Sequence, residues 1–280
     1  MIASENELTP DARKHLYIFR KCLPMHVRLH EILRFLGRTD GQTCLDIGAD
    51  NGMVSYQLRR RGGNWYTAVT DQSAADSVRA IVGNNVSVLE DQTLPFKKKI
   101  FDAVVIVNFL EHTRSDISFI KECHRILKPD GRLIVSVSRL KTWTLLRPLR
   151  ALLGLTHEKK GLVRSGYSES QLFSVLKNGF DVYHMRSYSR FFVELTDMVV
   201  HAIEVRVMTE KEKDAEKIRR IYSIANVFYH LASQLDMLLF LTKGHYLIAM
   251  AKRRAWRPRK APVLVDGRSI SEAVLSRAVN

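Results

Sequence analysis

Asp46, Gly48, Asp50, Gly52 and Asp71 are the residues whose types and spacing point to chemistry in this chain. Thr43 to Ile47 reads as a short buried strand, Gly48 to Gly52 as the turn that leaves it, and Met53 onward as a helix. A glycine turn lets a ligand approach bare backbone, and the helix N-terminus after it offers unpaired N–H groups. Asp71 closes the next predicted strand, Asn64 to Thr70. It falls 23 residues after Gly48, about the separation at which the acid of a nucleotide fold meets the ribose hydroxyls. The pattern predicts a nucleoside ligand. Asp50 stands where a dinucleotide fingerprint has its second glycine, and a carboxylate there repels a diphosphate while tolerating a cationic ligand without phosphate.

These residues need a sheet to position them. Strands are predicted over residues 43–48, 64–70, 86–90, 101–108 and 132–138, separated by helices. Ala103 to Val107 and Leu133 to Val137 are largely apolar and rich in β-branched residues, the mark of strands covered on both faces. The expected fold is α/β, a Rossmann-like, mostly parallel seven-stranded sheet with helices on both faces. Its last strand is antiparallel, and a helical insertion separates the last two strands. Ligands bind such sheets outside the C-terminal strand ends, where Asp46, Gly48, Asp71, Glu90 or Asp91, and Asn108 all fall.

Leu45-Asp-Ile-Gly-Ala-Asp-Asn-Gly52 resembles the glycine motif of class I S-adenosylmethionine-dependent methyltransferases, with Asp50 replacing a glycine. Four further matches follow in that family's order. They are Asp71-Gln-Ser, Leu89-Glu-Asp-Gln-Thr-Leu-Pro-Phe96, the strand ending in Leu110-Glu-His112, and Arg125-Ile-Leu-Lys-Pro-Asp-Gly131. The resemblance covers about residues 43–138, with a weaker match at Gly166-Tyr-Ser-Glu and Asn178-Gly-Phe180. It implies S-adenosyl-L-methionine as cofactor, bound by Asp46, Gly48, Ala49, Asp50, Gly52, Asp71, Gln72, Glu90, Asp91 and Asn108. In that scheme Asp71 takes the ribose, Glu90 or Asp91 the adenine amino group, and the backbone near Asn108 faces the sulfonium. His112 is the best-placed general base if the acceptor must lose a proton. Asn108-Phe-Leu-Glu lacks the Asn/Asp-Pro-Pro-Tyr signature of methyltransferases that act on amino groups of bases or glutamine. That favours small-molecule oxygen or carbon acceptors.

The chain is 280 residues long, 46% hydrophobic, with a formal charge of +15. Cys22, Cys44 and Cys123 lack metal-ligand spacing, so no metal is expected, and their odd count suggests a reducing, cytoplasmic compartment. No secretory signal is read at the start, and no run of about 18 apolar residues suggests a membrane span. Residues 1–42 read as helices broken at Pro24, a candidate lid by analogy with the family or a pair packed on the sheet edge. The core then runs over 43–188. Within it, residues 139–165 are basic, with Leu145, Leu146, Leu149, Leu152 and Leu153 on one helical face and Trp143 at its edge, a pattern suited to an anionic membrane surface or to internal packing. Residues 189–243 read as a helical hairpin whose second helix carries Ile221, Ile224 or Ala225, Phe228, Leu231, Leu235 and Leu238 or Leu239 on one face, starting from Ile221. Residues 244–253 form the final strand, and 254–280 a mobile basic tail, its residues 253–260 able to meet a membrane or RNA. The functional expectation is a methyltransferase acting on a hydrophobic or lipid-like acceptor, peripheral at the inner face of the membrane. The rivals are an RNA methyltransferase and a non-catalytic binding protein with a degenerate cofactor site. Asp50 argues against a dehydrogenase.

Overall fold

The computed structural model of the chain describes residues 8–48, 52–90, 93–140, 146, 149, 153, 162–209, 215–239 and 241–256. Strands β1 (Thr43–Ile47), β2 (Asn64–Val69), β3 (Val86–Val88), β4 (Phe101–Val107), β5 (Leu127–Ser138), β6 (Phe180–Tyr188) and β7 (Tyr246–Arg253) form one sheet in the order β3-β2-β1-β4-β5-β7-β6. The first five pair in parallel, and β7 runs antiparallel to both β5 and β6. This is the expected sheet.

Strand side chains alternate between two cores because successive Cβ atoms point to opposite faces. Leu45, Ile47, Val104, Ile106, Leu133 and Val135 join α5 (Asp116–Ile126) and α6 (Glu169–Leu176) on one face. Cys44, Ala103, Val105 and Ile134 meet α1 (Pro10–Lys21), α2 (Leu23–Leu36), α3 (Met53–Arg59) and α4 (Gln72–Val82) on the other. Burying a Val, Leu or Ile side chain fully is worth about 1.5–3 kcal/mol, so these β-branched runs are the main hold on the fold. Pro24 sits in the first turn of α2, where its missing N–H costs no helical hydrogen bond. The leading helices pack on the sheet through Leu16, Phe19, Ile32 and Leu36. β5 begins five residues earlier than expected, at Leu127. Asp130 adopts a left-handed conformation (φ +62°) there, and the register against β4 shifts between Phe101 and Ala103.

Between β6 and β7 the chain forms the expected hairpin, α7 (Phe191–Thr209) and α8 (Ala215–Leu238). It leaves the sheet at Tyr188 and returns at Tyr246, which pair with each other beside Ser138 at the C-terminal end of β5. The hairpin is thus rooted at the end of the sheet where the parallel strands terminate.

Three expectations need adjustment. In the basic segment 139–165, Leu146, Leu149 and Leu153 pack with Phe191, Leu195, Met198 and Ala202 of α7, so this part of the leucine face is engaged inside the protein. Trp143, Leu145, Leu152 and most of that segment lie outside the described residues. The start of the basic tail is docked: Arg254 pairs with Asp181 at 3.2 Å, and the Trp256 ring lies 5.1 Å from that of His124. Residues 257–280 lie outside the described residues. Lastly, α8 starts at Ala215, ahead of the expected start at Ile221. Ala-Glu-Lys-Ile-Arg-Arg consists largely of strong helix formers, and Ile218 is buried. No described helix is long and apolar enough to cross a membrane.

Candidate active site

The ends of β1, β2 and β4 surround a crevice of about 270 Å³ lined by Gly48, Val69, Thr70, Asp71, Ala74, Asn108, Phe109 and His112. Four of the expected site residues, Gly48, Asp71, Asn108 and His112, therefore converge.

Each is positioned by local chemistry. Gly48 has φ +87°, and a Cβ there would overlap the Val107 carbonyl oxygen and lie 2.9 Å from the Phe109 Cβ. Only glycine lets the turn pass β4 so closely. Its own N–H donates to the Ala68 carbonyl (3.1 Å), so that group is engaged with β2 rather than offered to a ligand. Gly52 is left-handed (φ +73°) at the start of α3, where a Cβ would press on Ile81 and Val78 of α4.

Asp71 caps α4. Its Oδ1 accepts from the Ala74 N–H (2.9 Å) and its Oδ2 from the Thr70 hydroxyl (2.9 Å). The Ala74 N–H, then the Thr70 hydroxyl, hold the carboxyl below its ordinary value, so Asp71 is an anion at neutral pH. Each oxygen retains a lone pair, and a carboxylate so oriented can take two adjacent hydroxyls. Asn108 follows β4 in a left-handed conformation (φ +48°), which Asn tolerates better than most residues. Its N–H donates to the Ser136 carbonyl (2.9 Å), and its amide oxygen, turned toward α2, accepts from Arg28 at 3.1 and 3.2 Å. His112 ends the 3-10 turn Leu110–His112, exposed at the rim.

Asp46 stands apart from these. It is buried, and its carboxylate accepts from the Ser55 hydroxyl, from Arg59 Nη1 (3.3 Å) and from the Thr67 hydroxyl (3.0 Å). Arg59 also donates to Thr67 Oγ1 (2.9 Å) and the Trp65 carbonyl (3.2 Å). Burial pushes the Asp46 carboxyl up, opposed by the Arg59 charge and by the Ser55 and Thr67 hydrogen bonds. Its task is to tie α3 to β1 and β2, which fixes the turn from within. Gln72 is not among the residues lining the crevice and donates to Asp76 (2.8 Å). Glu90 is exposed in a bridge with Thr93 and does not line the crevice. Ala49, Asp50 and Asp91 lie outside the described residues.

Sequence reasoning missed a polar set across β4 from Asp71. The Arg28 guanidinium lies over the Tyr246 ring (5.0 Å), Tyr246 stacks on Tyr188 (5.5 Å), and the Tyr188 hydroxyl meets Ser136 Oγ at 2.6 Å. Burial pushes the Tyr188 phenol up, and the Glu194 charge together with burial does the same for Tyr246. Glu111 was also missed as a structural acid. It is buried, accepts from the Ser138 N–H, and through its carbonyl receives the N–H groups of Val163 (2.9 Å) and Arg164 (3.2 Å). Burial pushes its carboxyl up. The one available signal was that Tyr188 and Tyr246 bracket the insertion.

The Leu94-Pro-Phe96 and Arg125 motifs prove to be one device. Arg125 donates to the carbonyls of Phe96 (2.7 Å) and Leu94 (2.9 Å) while pairing with Glu122. Burial raises the Cys22 and Cys44 thiols to about 12, so neither is a nucleophile at neutral pH.

A parallel sheet ending in an antiparallel β7, with a glycine turn after β1 and an acid after β2, defines the class I methyltransferase fold. Residues 45–135 match the family model described as "Methyltransferase domain". The ubiquinone biosynthesis O-methyltransferase of Alkalilimnicola ehrlichii is 28% identical over 127 residues, covering 41% of this chain and 51% of the relative. The demethylmenaquinone methyltransferase of Tropheryma whipplei is 32% identical over 109 residues, covering 36% and 44%. The chain thus spans about half the length of the curated relatives it matches. Among solved structures, the geranyl diphosphate C-methyltransferase of Streptomyces coelicolor, in complex with Mg2+, geranyl diphosphate and S-adenosyl-L-homocysteine, aligns with a TM-score of 0.52. It is 15% identical and covers 82% of this chain and 78% of that one, a likeness of fold.

Proposed function

We propose that this chain is an S-adenosylmethionine-dependent methyltransferase that transfers a methyl group in line to a hydrophobic, lipid-like small molecule at a membrane surface. The observation that carries this reading is the meeting of Asp71, Gly48, Asn108 and His112 around one crevice at the strand ends. The donor set fits the cofactor: an ionised, accessible carboxylate for a ribose diol, and a turn without side-chain bulk at Gly48. The quinone-pathway names of the sequence relatives support a hydrophobic acceptor.

When bound, S-adenosylmethionine supplies a methyl group already activated on a sulfonium. The chain's own residues are then needed chiefly to orient the reactants, an effect worth roughly 7–11 kcal/mol of barrier when geometry is right. Asp71 would hold the ribose. Asn108, braced by Arg28, would form the floor beneath the reacting centre. His112, which also lines the crevice, would take the proton of a phenolic or alcoholic acceptor.

Calorimetry with S-adenosylmethionine, followed by incubation of the protein and labelled cofactor with a whole-cell lipid extract, tests the reading. Binding and label transferred into an organic-soluble product are expected. Absence of binding at millimolar cofactor would defeat the enzyme; label entering only RNA would defeat the lipid acceptor.

A further inference from the structure

Helix α8 carries two apolar faces, and the protein uses one. Ile218, Tyr222, Ala225 and Tyr229 are buried against Ile18 and Cys22 of the leading helical segment and Val200 of α7. About a third of a turn away, Ile224, Val227, Phe228, Leu231, Leu235 and Leu238 recur at spacings of three and four residues, and each is 45–77% exposed. An amphipathic helix this long does not leave six large apolar side chains in water without a partner surface.

We infer that this second face is a docking surface for an anionic lipid bilayer, with α8 lying in the plane of the interface. The stripe is about 21 Å long at 1.5 Å per residue, and α8 does not qualify as a span. Charge selects the occupant. The stripe holds no acid, because Asp236 faces inward and accepts from the N–H groups of Phe192 (2.8 Å) and Val193 (3.1 Å) at the start of α7. Lys217 and Arg220 lie on the stripe's own side at its N-terminal end, both exposed, and Arg220 is only loosely met by Glu216 at 3.9 Å. The chain as a whole carries +15, which attracts an anionic lipid surface and opposes a second copy of itself. Position agrees with this. The hairpin is rooted at Tyr188 and Tyr246, at the same end of the sheet as the crevice, which lies at the ends of β1, β2 and β4. The surface deepens the functional reading, and it rests on that reading for the site it would serve.

The test is flotation of the full chain with vesicles of phosphatidylcholine alone and of phosphatidylcholine with phosphatidylglycerol, alongside calorimetry with S-adenosylmethionine. The wild type should float with the phosphatidylglycerol vesicles. Phe228→Glu with Leu231→Glu should weaken that binding roughly tenfold or more while leaving cofactor affinity and the melting temperature unchanged. Phe228→Ser with Leu231→Ser serves if the glutamate pair fails to fold. A wild type that stays with the pellet fraction, or variants that float equally well, overturns the inference. So does a dimer that the double variant converts to monomer in sedimentation velocity, since the face would then belong to a second copy. Vesicle binding without cofactor binding would sink the methyl-transfer reading alone; cofactor binding without vesicle binding would sink the docking surface and the membrane-surface setting, and leave methyl transfer standing.

Discussion

Asp46, inside on β1, and Asp71, at the crevice rim just after the adjacent parallel strand β2, present the same functional group. Inside, the Asp46 carboxylate is surrounded by Ser55, Arg59 and Thr67 and is shut off from solvent. At the rim, Asp71 receives two local donors and remains open. Burial drives the first carboxyl up, and hydrogen bonding holds the second down. The difference teaches that the acid nearest the glycines shapes the turn, while the acid one strand further out is free to meet a ligand. Glu111 belongs with the interior, as a buried acid next in sequence to His112.

The strongest way to break the comparison is Asp46→Ala. It leaves the buried Arg59 guanidinium without its anionic partner, a change worth about 3–5 kcal/mol when a buried pair is split. Urea denaturation should show that loss. If stability is unchanged and cofactor affinity collapses instead, Asp46 is a ligand residue and the division between interior and rim fails. Asp71→Ala should do the reverse. Two hydrogen bonds to a charged group would be lost, lowering S-adenosylmethionine affinity by about a hundredfold in calorimetry. Stability should fall only by the small amount that removing an N-cap brings. Wild-type affinity in that variant would remove Asp71 from the site.

Why the surroundings of one acid could be anticipated from sequence and those of the other could not follows from what a sequence displays. Strand order and facing were legible, because Ala103 to Val107 and Leu133 to Val137 show burial on both sides in their composition. Asp71 was legible because its position depends on one strand end. Asp46 was not, because its partners come from two separate elements: Ser55 and Arg59 on α3, and Thr67 from the register of β2 opposite it. Only pairing brings those together. The hairpin shows a second kind of blindness. Hydropathy picks out Ile224, Phe228 and Leu231 as the apolar face of α8, yet the buried face is built from Ile218 with tyrosine and alanine. Tyr229 donates to Asp197 (2.8 Å) and Tyr222 to Glu204 (2.9 Å), so polar ends satisfied inside the hairpin let amphipathic rings do the packing.

Glu111 sharpens the comparison through pH. Its folded-state value is raised, so between the ordinary carboxylate range and that raised value the native protein binds more protons than the unfolded chain. Stability contributed by Glu111 is therefore present below that range and is lost as pH rises through the window. The stability of the wild type relative to Glu111→Gln should fall across the window and stay level below it, read from urea melts at successive pH values. A difference that grows with pH would move Glu111 from the interior class to that of Asp71.

Gln72 sets the smallest effect and the finest limit on where the rim ends. It is the residue next to Asp71, but it begins α4, is exposed, and has its amide directed along the helix to Asp76. A surface side chain with one exposed hydrogen bond contributes within about 0.5 kcal/mol. Gln72→Ala should therefore leave both urea stability and cofactor affinity near wild type. A clear loss of affinity in calorimetry would mean that the amide exchanges Asp76 for the ligand. The rim would then extend from Asp71 into the first turn of α4, and one open carboxylate would no longer describe it.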